Sequence, residues 1–328
     1  MSPALEPVRL PARDIPPPAT ISDKARVALS DGALGPAPGW PPADDLAAWR
    51  DAIAQSGAMW EEAAAAVLAA SPCTVDTRTV GGVTCHVAKP PGAAGPLYLF
   101  IHGGAFVFGA GAYARAQAAL QADRLGLTTV SVDYRTPPDH PFPAAPQDCL
   151  AVYRAVIQTH DPASIVIGGS SAGGNLAAAL VLMIREQGLP APAGLVLLTP
   201  EVDLTEAGDS FRTNALLDVT LKGSLENCNA LYAAGHDLTD PLLSPLYGDL
   251  AGFPPTLIQT GTRDILLSNS VLMHRKLRKA GVEAELHVWE AMPHGGFGPF
   301  GSGDAPENAE IDDEVRRFIA RHAPAKGR

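Results

Sequence analysis

Gly169-Ser170-Ser171-Ala172-Gly173 lies directly after the apolar run Ser164–Ile167 and directly before a helical run beginning at Asn175. A serine at the centre of G-x-S-x-G, at the tip of a strand-to-helix turn, is held in a strained backbone conformation. Its neighbours must be small, because bulkier residues would clash. The helix that follows aims its N-terminal dipole and free N–H groups at the site, which favours the negative charge that develops in acyl transfer. Strand before and helix after make Ser171 the candidate nucleophile; Ser170 is off the centre of the pattern.

Moving outward from this turn, short apolar or β-branched runs alternate with amphipathic ones. Strands are expected at Val83–Val87, Leu97–Ile101, Thr129–Val132, Ile165–Ile167, Leu195–Leu198, Thr256–Gln259 and Leu286–Trp289. Helices are expected at Gln117–Leu125, Ala144–Ile157, Asn175–Gln187, Asn269–Ala280 and Glu310–His322. This alternation predicts an α/β fold, a mostly parallel sheet covered on both faces. Two segments break it. Residues 1–72 are rich in Pro, Ala and Gly up to about residue 45, and then helical from Asp45 to Ala70, with Leu46, Trp49, Ile53 and Trp60 at helical spacing. Residues 204–246 are polar and weakly periodic. The expected organisation is therefore an N-terminal arm with cap helices (1–72), core (73–203), cap insertion (204–246) and core (247–328), with a helical cap over the carboxyl edge of the sheet, where doubly wound folds bind ligands.

The 328 residues suffice for a large core, and 35 acidic against 24 basic residues give a formal charge of −11. With no Lys/Arg cluster, nucleic acid is excluded as a partner. No run approaches the roughly twenty apolar residues of a membrane helix. The charged, proline-rich first thirty residues have no signal-peptide pattern, so a cytoplasmic location is expected. Cys73, Cys85, Cys149 and Cys228 match no metal or disulfide spacing and read as free thiols. No metal and no cofactor is expected.

A second motif, His102-Gly103-Gly104-Ala105-Phe106, follows Leu97–Ile101. Successive glycines let the backbone approach a ligand closely and turn amides toward it, as an oxyanion hole requires. With Asp133-Tyr134-Arg135, Pro141-Phe142-Pro143-Ala144-Ala145 and the elbow itself, this run resembles the hormone-sensitive-lipase-like (bacterial type IV) esterases of the α/β-hydrolase fold, from about Val80 to Phe318. The resemblance implies an eight-stranded sheet and an oxyanion hole built from backbone amides of Gly103, Gly104, Ala105 and Ala172. The chain departs from that pattern at Ala105, where the third glycine is usual, and at Ser170, where Asp is common. His102 belongs to the loop and is expected to tie it down by hydrogen bonds.

Serine needs a base, and the base needs an acid to hold its tautomer. His294, in Met292-Pro293-His294-Gly295-Gly296-Phe297, follows the last strand in a Gly/Pro loop and resembles the family's HGF segment. His86 and His287 lie in strand patterns, and His160, His274 and His322 lie on or at the ends of helical runs. Asp264 follows the strand Thr256–Gln259, and the order Ser171, Asp264, His294 is that of α/β-hydrolases. Asp203, after Leu195–Leu198, is the alternative acid. Asp133, Asp139 and Asp148 read as structural charges. Ser268 stands where the family often has a second acid.

The expected activity is hydrolysis of short to medium acyl esters through an acyl-enzyme. A lactone substrate is the alternative, because Gly261–Ser268 resembles relatives that hydrolyse lactones. A small-molecule-binding protein without catalysis is an alternative of another class, disfavoured because Ser, Asp and His are all present. Trp49, Met59, Trp60, Phe211, Leu216 and Leu217 are the apolar cap residues to inspect as pocket lining, with ordinary core packing the default reading of each. A small-molecule ester or lactone is the expected partner, with a homodimer left open.

Overall fold

The computed structural model describes residues 7–9, 11–33, 39–298 and 303–324; parts of the N-terminal arm in 1–72 lie outside them. Eight strands form one sheet in the order β1-β2-β4-β3-β5-β6-β7-β8. They are β1 (Thr74–Val80), β2 (Val83–Lys89), β3 (Leu97–Ile101), β4 (Thr129–Val132), β5 (Ile165–Ser170), β6 (Gly194–Leu198), β7 (Thr256–Gly261) and β8 (Ala284–Trp289). From β4 to β8 the neighbours pair in parallel, while β1 and β2 pair antiparallel to each other and β2 to β4.

β1 was not singled out by the sequence pattern, because Asp76 and Arg78 interrupt its apolar content and most of its residues are exposed. The hairpin to β2 turns on Gly81 and Gly82, both at positive φ, which a two-residue turn matched to strand twist requires.

The helices are α1 (Asp23–Ala33), α2 (Leu46–Ala70), α3 (Ala112–Leu125), α4 (Ala144–Val156), α5 (Ala172–Glu186), α6 (Ser210–Thr213), α7 (Glu226–Ala233), α8 (Leu267–Lys279) and α9 (Pro306–His322). α3, α5 and α9 begin three to five residues before the periodic stretches suggested, since their first turns are packed by small or polar residues without an apolar stripe. One face of the sheet carries a large core in which β3, β5 and β6 residues meet α4, α5 and α8. The other carries Tyr98, Phe100, Val166, Val196 and Leu257 under Phe318 and Ile319 of α9.

The N-terminal arm and the insertion meet above the carboxyl edge. Trp49 is fully buried among Val107, Phe108, Leu225, Cys228 and Leu231, with Trp40, Ile53 and Trp60 against them. Segments far apart in sequence thus share one apolar cluster over the loop that follows β3. All four cysteines are free thiols, and no helix among the described residues is long and apolar enough to cross a membrane.

Candidate active site

β5 and α5 meet at Ser171, whose φ is +58°. The turn is forced tight by its flanks: a Cβ on Gly169 would lie 2.1 Å from the Gly173 carbonyl oxygen, and one on Gly173 would lie 2.0 Å from that of Ile101. Only glycine allows α5 to sit this close to β3.

The loop after β8 brings His294 over the elbow. Ser171 Oγ donates to His294 Nε2 at 2.9 Å, and His294 Nδ1 donates to Asp264 Oδ1 at 3.1 Å. Asp264 is fully buried. Its Oδ2 accepts from Thr260 Oγ1 (2.7 Å) and its Oδ1 from the Leu266 N–H (2.9 Å), so the carboxylate is held on both sides. Burial pulls the imidazole's affinity for a proton down, but the Asp264 hydrogen bond, with the charges of Asp264 and Asp218, outweighs it and leaves the His294 pKa above its ordinary 6.5.

The alternative acid stands elsewhere. Asp203 Oδ1 accepts from the N–H and Oγ1 of Thr205, closing a turn, and makes no hydrogen bond to a histidine among the described residues. His102 stacks on Tyr134 (centroids 4.3 Å apart), bonds Gly103 O through Nδ1, and has its own carbonyl capped by the Tyr134 hydroxyl. Asp148 grips Arg135, Asp139 pairs with Arg50, and Asp133 accepts from the Gly111 N–H and meets His86.

Gly103, Gly104 and Ala105 line the same cavity as Ser171. Their N–H groups, and that of Ala172, have no acceptor among the described residues. Ala105 at φ +50° and Phe106 at +63° both adopt the left-handed region. Alanine thus takes up the conformation that the third glycine would have taken, at a strain on the order of 1–2 kcal/mol.

Two groups escaped the sequence reading. Asp218, fully buried in the segment between β6 and β7, accepts from four backbone N–H groups: Thr220 and Leu221 (3.0 Å each), Ile265 (2.8 Å) and His294 (3.2 Å). Burial and the neighbouring Asp264 push its pKa up to about 6. Asn214, one turn earlier, donates from its amide to the carbonyls of Thr262 and Asp264. Nothing in the sequence around either residue distinguishes it from loop polarity. Ser268, at the position where the family often has a second acid, exchanges hydrogen bonds with Ser210, its Oγ accepting from the Ser210 N–H.

Asp218, Asp264 and His294 bring three donor atoms within 4.8 Å of one another, a spacing that suits a metal ion. Each of these atoms is already engaged by an N–H or itself donates, so a cation would have to displace that network. Among the cap residues named above, Trp60 lines the cavity. Met59 and Leu216 instead face solvent, Trp49 is in the cap core, and Phe211 packs on Ile265 and Leu266. The apolar lining comes from Trp40, Phe108, Leu221 and Leu225 with Trp60, around a cavity of about 310 Å³.

The family described as alpha/beta hydrolase fold matches residues 98–297. An acetyl-hydrolase of Streptomyces hygroscopicus is 34% identical over 221 residues, covering 67% of this chain and 74% of that protein. An esterase of Acinetobacter venetianus is 37% identical over 228 residues, with the same coverage. Among solved structures, an esterase is similar at TM-score 0.87 with 36% identity over 97% of this chain and 99% of that one. A hormone-sensitive lipase from a metagenome library is similar at TM-score 0.81 and 33% identity over 93% and 99%.

Proposed function

This chain belongs to the alpha/beta hydrolase fold family, among its hormone-sensitive-lipase-like esterases, and from that premise we propose that Ser171, His294 and Asp264 are its catalytic triad. The protein is a carboxylic ester hydrolase. The observation that carries the triad is the unbroken line of hydrogen bonds from Ser171 Oγ through His294 to Asp264.

In this reading Asp264 keeps the proton of neutral His294 on Nδ1, so Nε2 presents its lone pair to the serine hydroxyl. As Ser171 Oγ bonds to the ester carbonyl carbon, its proton passes to Nε2. The carbonyl oxygen becomes an oxyanion received by the N–H groups of Gly103, Gly104, Ala105 and Ala172. The carbon–oxygen bond to the alcohol then breaks, and the alcohol leaves with the proton from Nε2. Water repeats the sequence on the acyl-enzyme and releases the acid. Asp218 is a positioning residue, holding the acid loop and the base loop through backbone amides.

We assign residues 1–72 and 204–246 to the cap and 73–203 and 247–328 to the core, and read the substrates as esters of short to medium acyl chains. A cavity of this size with apolar walls supports that range. Labelling with a fluorophosphonate, followed by peptide mass spectrometry, tests the nucleophile: the adduct belongs on Ser171, and an adduct on Ser170 would overturn the assignment.

A further inference from the structure

The cavity at the triad is uneven in its chemistry. Beyond the apolar cap residues it is lined by Tyr113, Gln117, Gln121 and Arg124 of α3, spaced four, four and three residues apart. That spacing is one face of a helix. The stripe starts where Tyr113 meets Trp60, ring centroids 4.8 Å apart, and ends where Arg124 pairs with Asp312 of α9 at 3.7 Å. Gln121 lies about 12 Å further along the helix axis than Tyr113. The opposite wall is Asn308, Ile311 and Asp312. The floor is Ser170, Leu198 and Gln259, aligned in register across β5, β6 and β7. An arm of the cavity therefore extends from Ser171 between α3 and α9.

Most polar groups in this arm are spoken for. Gln259 donates to Ile311 O and accepts from Trp289 Nε1. Asn308 bonds Phe297 at both ends of its amide and also Gly303 O. Gln117 is bonded to the Tyr113 hydroxyl. Gln121 differs: it is only 7% exposed, it lines the cavity, and its side chain has no hydrogen-bond partner among the described residues. The Ser170 hydroxyl, at the mouth of the arm beside the nucleophile, has none either. The Gln121 amide therefore opens onto the cavity and is free to hydrogen-bond whatever occupies it.

We propose that this arm selects esters with a substituent ending in a neutral hydrogen-bonding group, such as a ketone, hydroxyl or amide, and that Gln121 recognises that group. Neutrality follows from the pairing of Arg124 with Asp312, which leaves neither charge unmatched at that end of the cavity, and an anionic group is further disfavoured by the −11 charge of the chain. The amide both donates and accepts, so ketone and hydroxyl ends are served alike. This inference rests on the serine-esterase reading and adds to it the chemistry of the substrate's far end.

The test uses two isosteric pairs, one on each side of the ester. 4-Nitrophenyl 6-oxoheptanoate is compared with 4-nitrophenyl 6-methylheptanoate, and the acetate of 7-hydroxyheptan-2-one with that of 6-methylheptan-1-ol. In one series the kcat/KM ratio of keto to methyl ester should fall by roughly 3- to 10-fold from the native enzyme to Gln121→Leu, the worth of one neutral hydrogen bond. Gln121→Met, run beside it, should give the same fall, which separates loss of the amide from a packing defect. Hydrolysis of 4-nitrophenyl butyrate by the native enzyme and its loss in Ser171→Ala, followed in the same assay, distinguish failure of the triad from failure of selectivity. Equal ratios in native and variant enzymes in both series, with butyrate still hydrolysed, would mean the arm holds only water and would overturn the proposal.

Discussion

Asp218 accepts the backbone N–H of His294, at 3.3 Å to Oδ1 and 3.2 Å to Oδ2, while the Ile265 N–H donates to the same Oδ2 at 2.8 Å. One carboxylate from the segment between β6 and β7 thus joins Ile265, the residue after Asp264, to His294. Asp218→Ala leaves four buried or half-buried amides without their acceptor, each worth about 1–3 kcal/mol when truly buried. Expected are a lower melting temperature and a fall in kcat larger than the change in KM. Thermal denaturation and steady-state kinetics check both.

The pH dependence follows from the direction of the His294 shift. In the proposed triad His294 works when neutral, and its pKa lies above 6.5, so kcat/KM is expected to fall as pH drops through a value above 6.5. The carboxylates of Asp264 and Asp218 raise it. Asp218→Asn removes one of these charges while keeping an acceptor oxygen, and should move the acidic limb to lower pH. Profiles from pH 5 to 9 would show the displacement; a limb that stays in place would mean the Asp218 charge is not felt at the imidazole.

Asp264→Asn should lower turnover very roughly ten-thousandfold, the loss that the same change of acid to amide causes in the serine-protease triad, since the amide favours the wrong tautomer of the base. Asp203→Asn should cost little activity, because Asp203 closes a turn with Thr205. A side-by-side assay in which Asp203→Asn proves the more damaged would transfer the acid's role.

Glu201 is fully buried directly behind the elbow, with Oε1 accepting from Asn229 and Oε2 unpartnered. Burial raises its pKa to about 8 from 4.5. The folded state therefore holds this proton where the unfolded chain has lost it, and stability declines as pH rises from about 4.5 to 8. Glu201→Gln should then melt progressively higher than the native protein across that window. A difference that is flat with pH would contradict the buried-acid account.

Since the donor atoms of Asp218, Asp264 and His294 are already engaged by N–H and O–H groups, a chelator should leave ester hydrolysis unchanged. Dialysis against EDTA followed by assay, with and without added zinc, checks this; restoration of a lost activity by zinc would point to a metal at these residues.

The parts of the site that could be read from sequence are those where chemistry forces a local pattern. Ser171 needs glycines around it because α5 presses on β3, and His294 needs a Gly/Pro loop to reach back over the sheet. Both requirements leave marks within five or six residues. Asp218 and Asn214 leave none, because they act by accepting from or donating to backbone far away in sequence, and a polar residue in a weakly periodic stretch looks the same whether or not a distant loop uses it. The apolar candidates for the cavity lining divide for a related reason. Trp60 touches the cavity, whereas Met59, one residue away on the same helix, is 66% exposed; apolar character alone does not say which side of α2 faces the substrate. Within the sheet, β1 escaped notice because an exposed edge strand with Asp76 and Arg78 lacks an apolar run.

The clearances at Gly169 and Gly173 bear on how new specificities can evolve in this scaffold. At either position any side chain would meet a backbone oxygen at close to 2 Å, and that backbone cannot yield without displacing Ser171. Trp40, Trp60, Leu221 and Leu225 face the same cavity from the arm and the insertion, segments that contribute nothing to the elbow. A mutational library spread over those four positions changes the shape offered to substrate while leaving the nucleophile's geometry to be inherited intact. One wall of the cavity is open to substitution, and the other is fixed by backbone clearances.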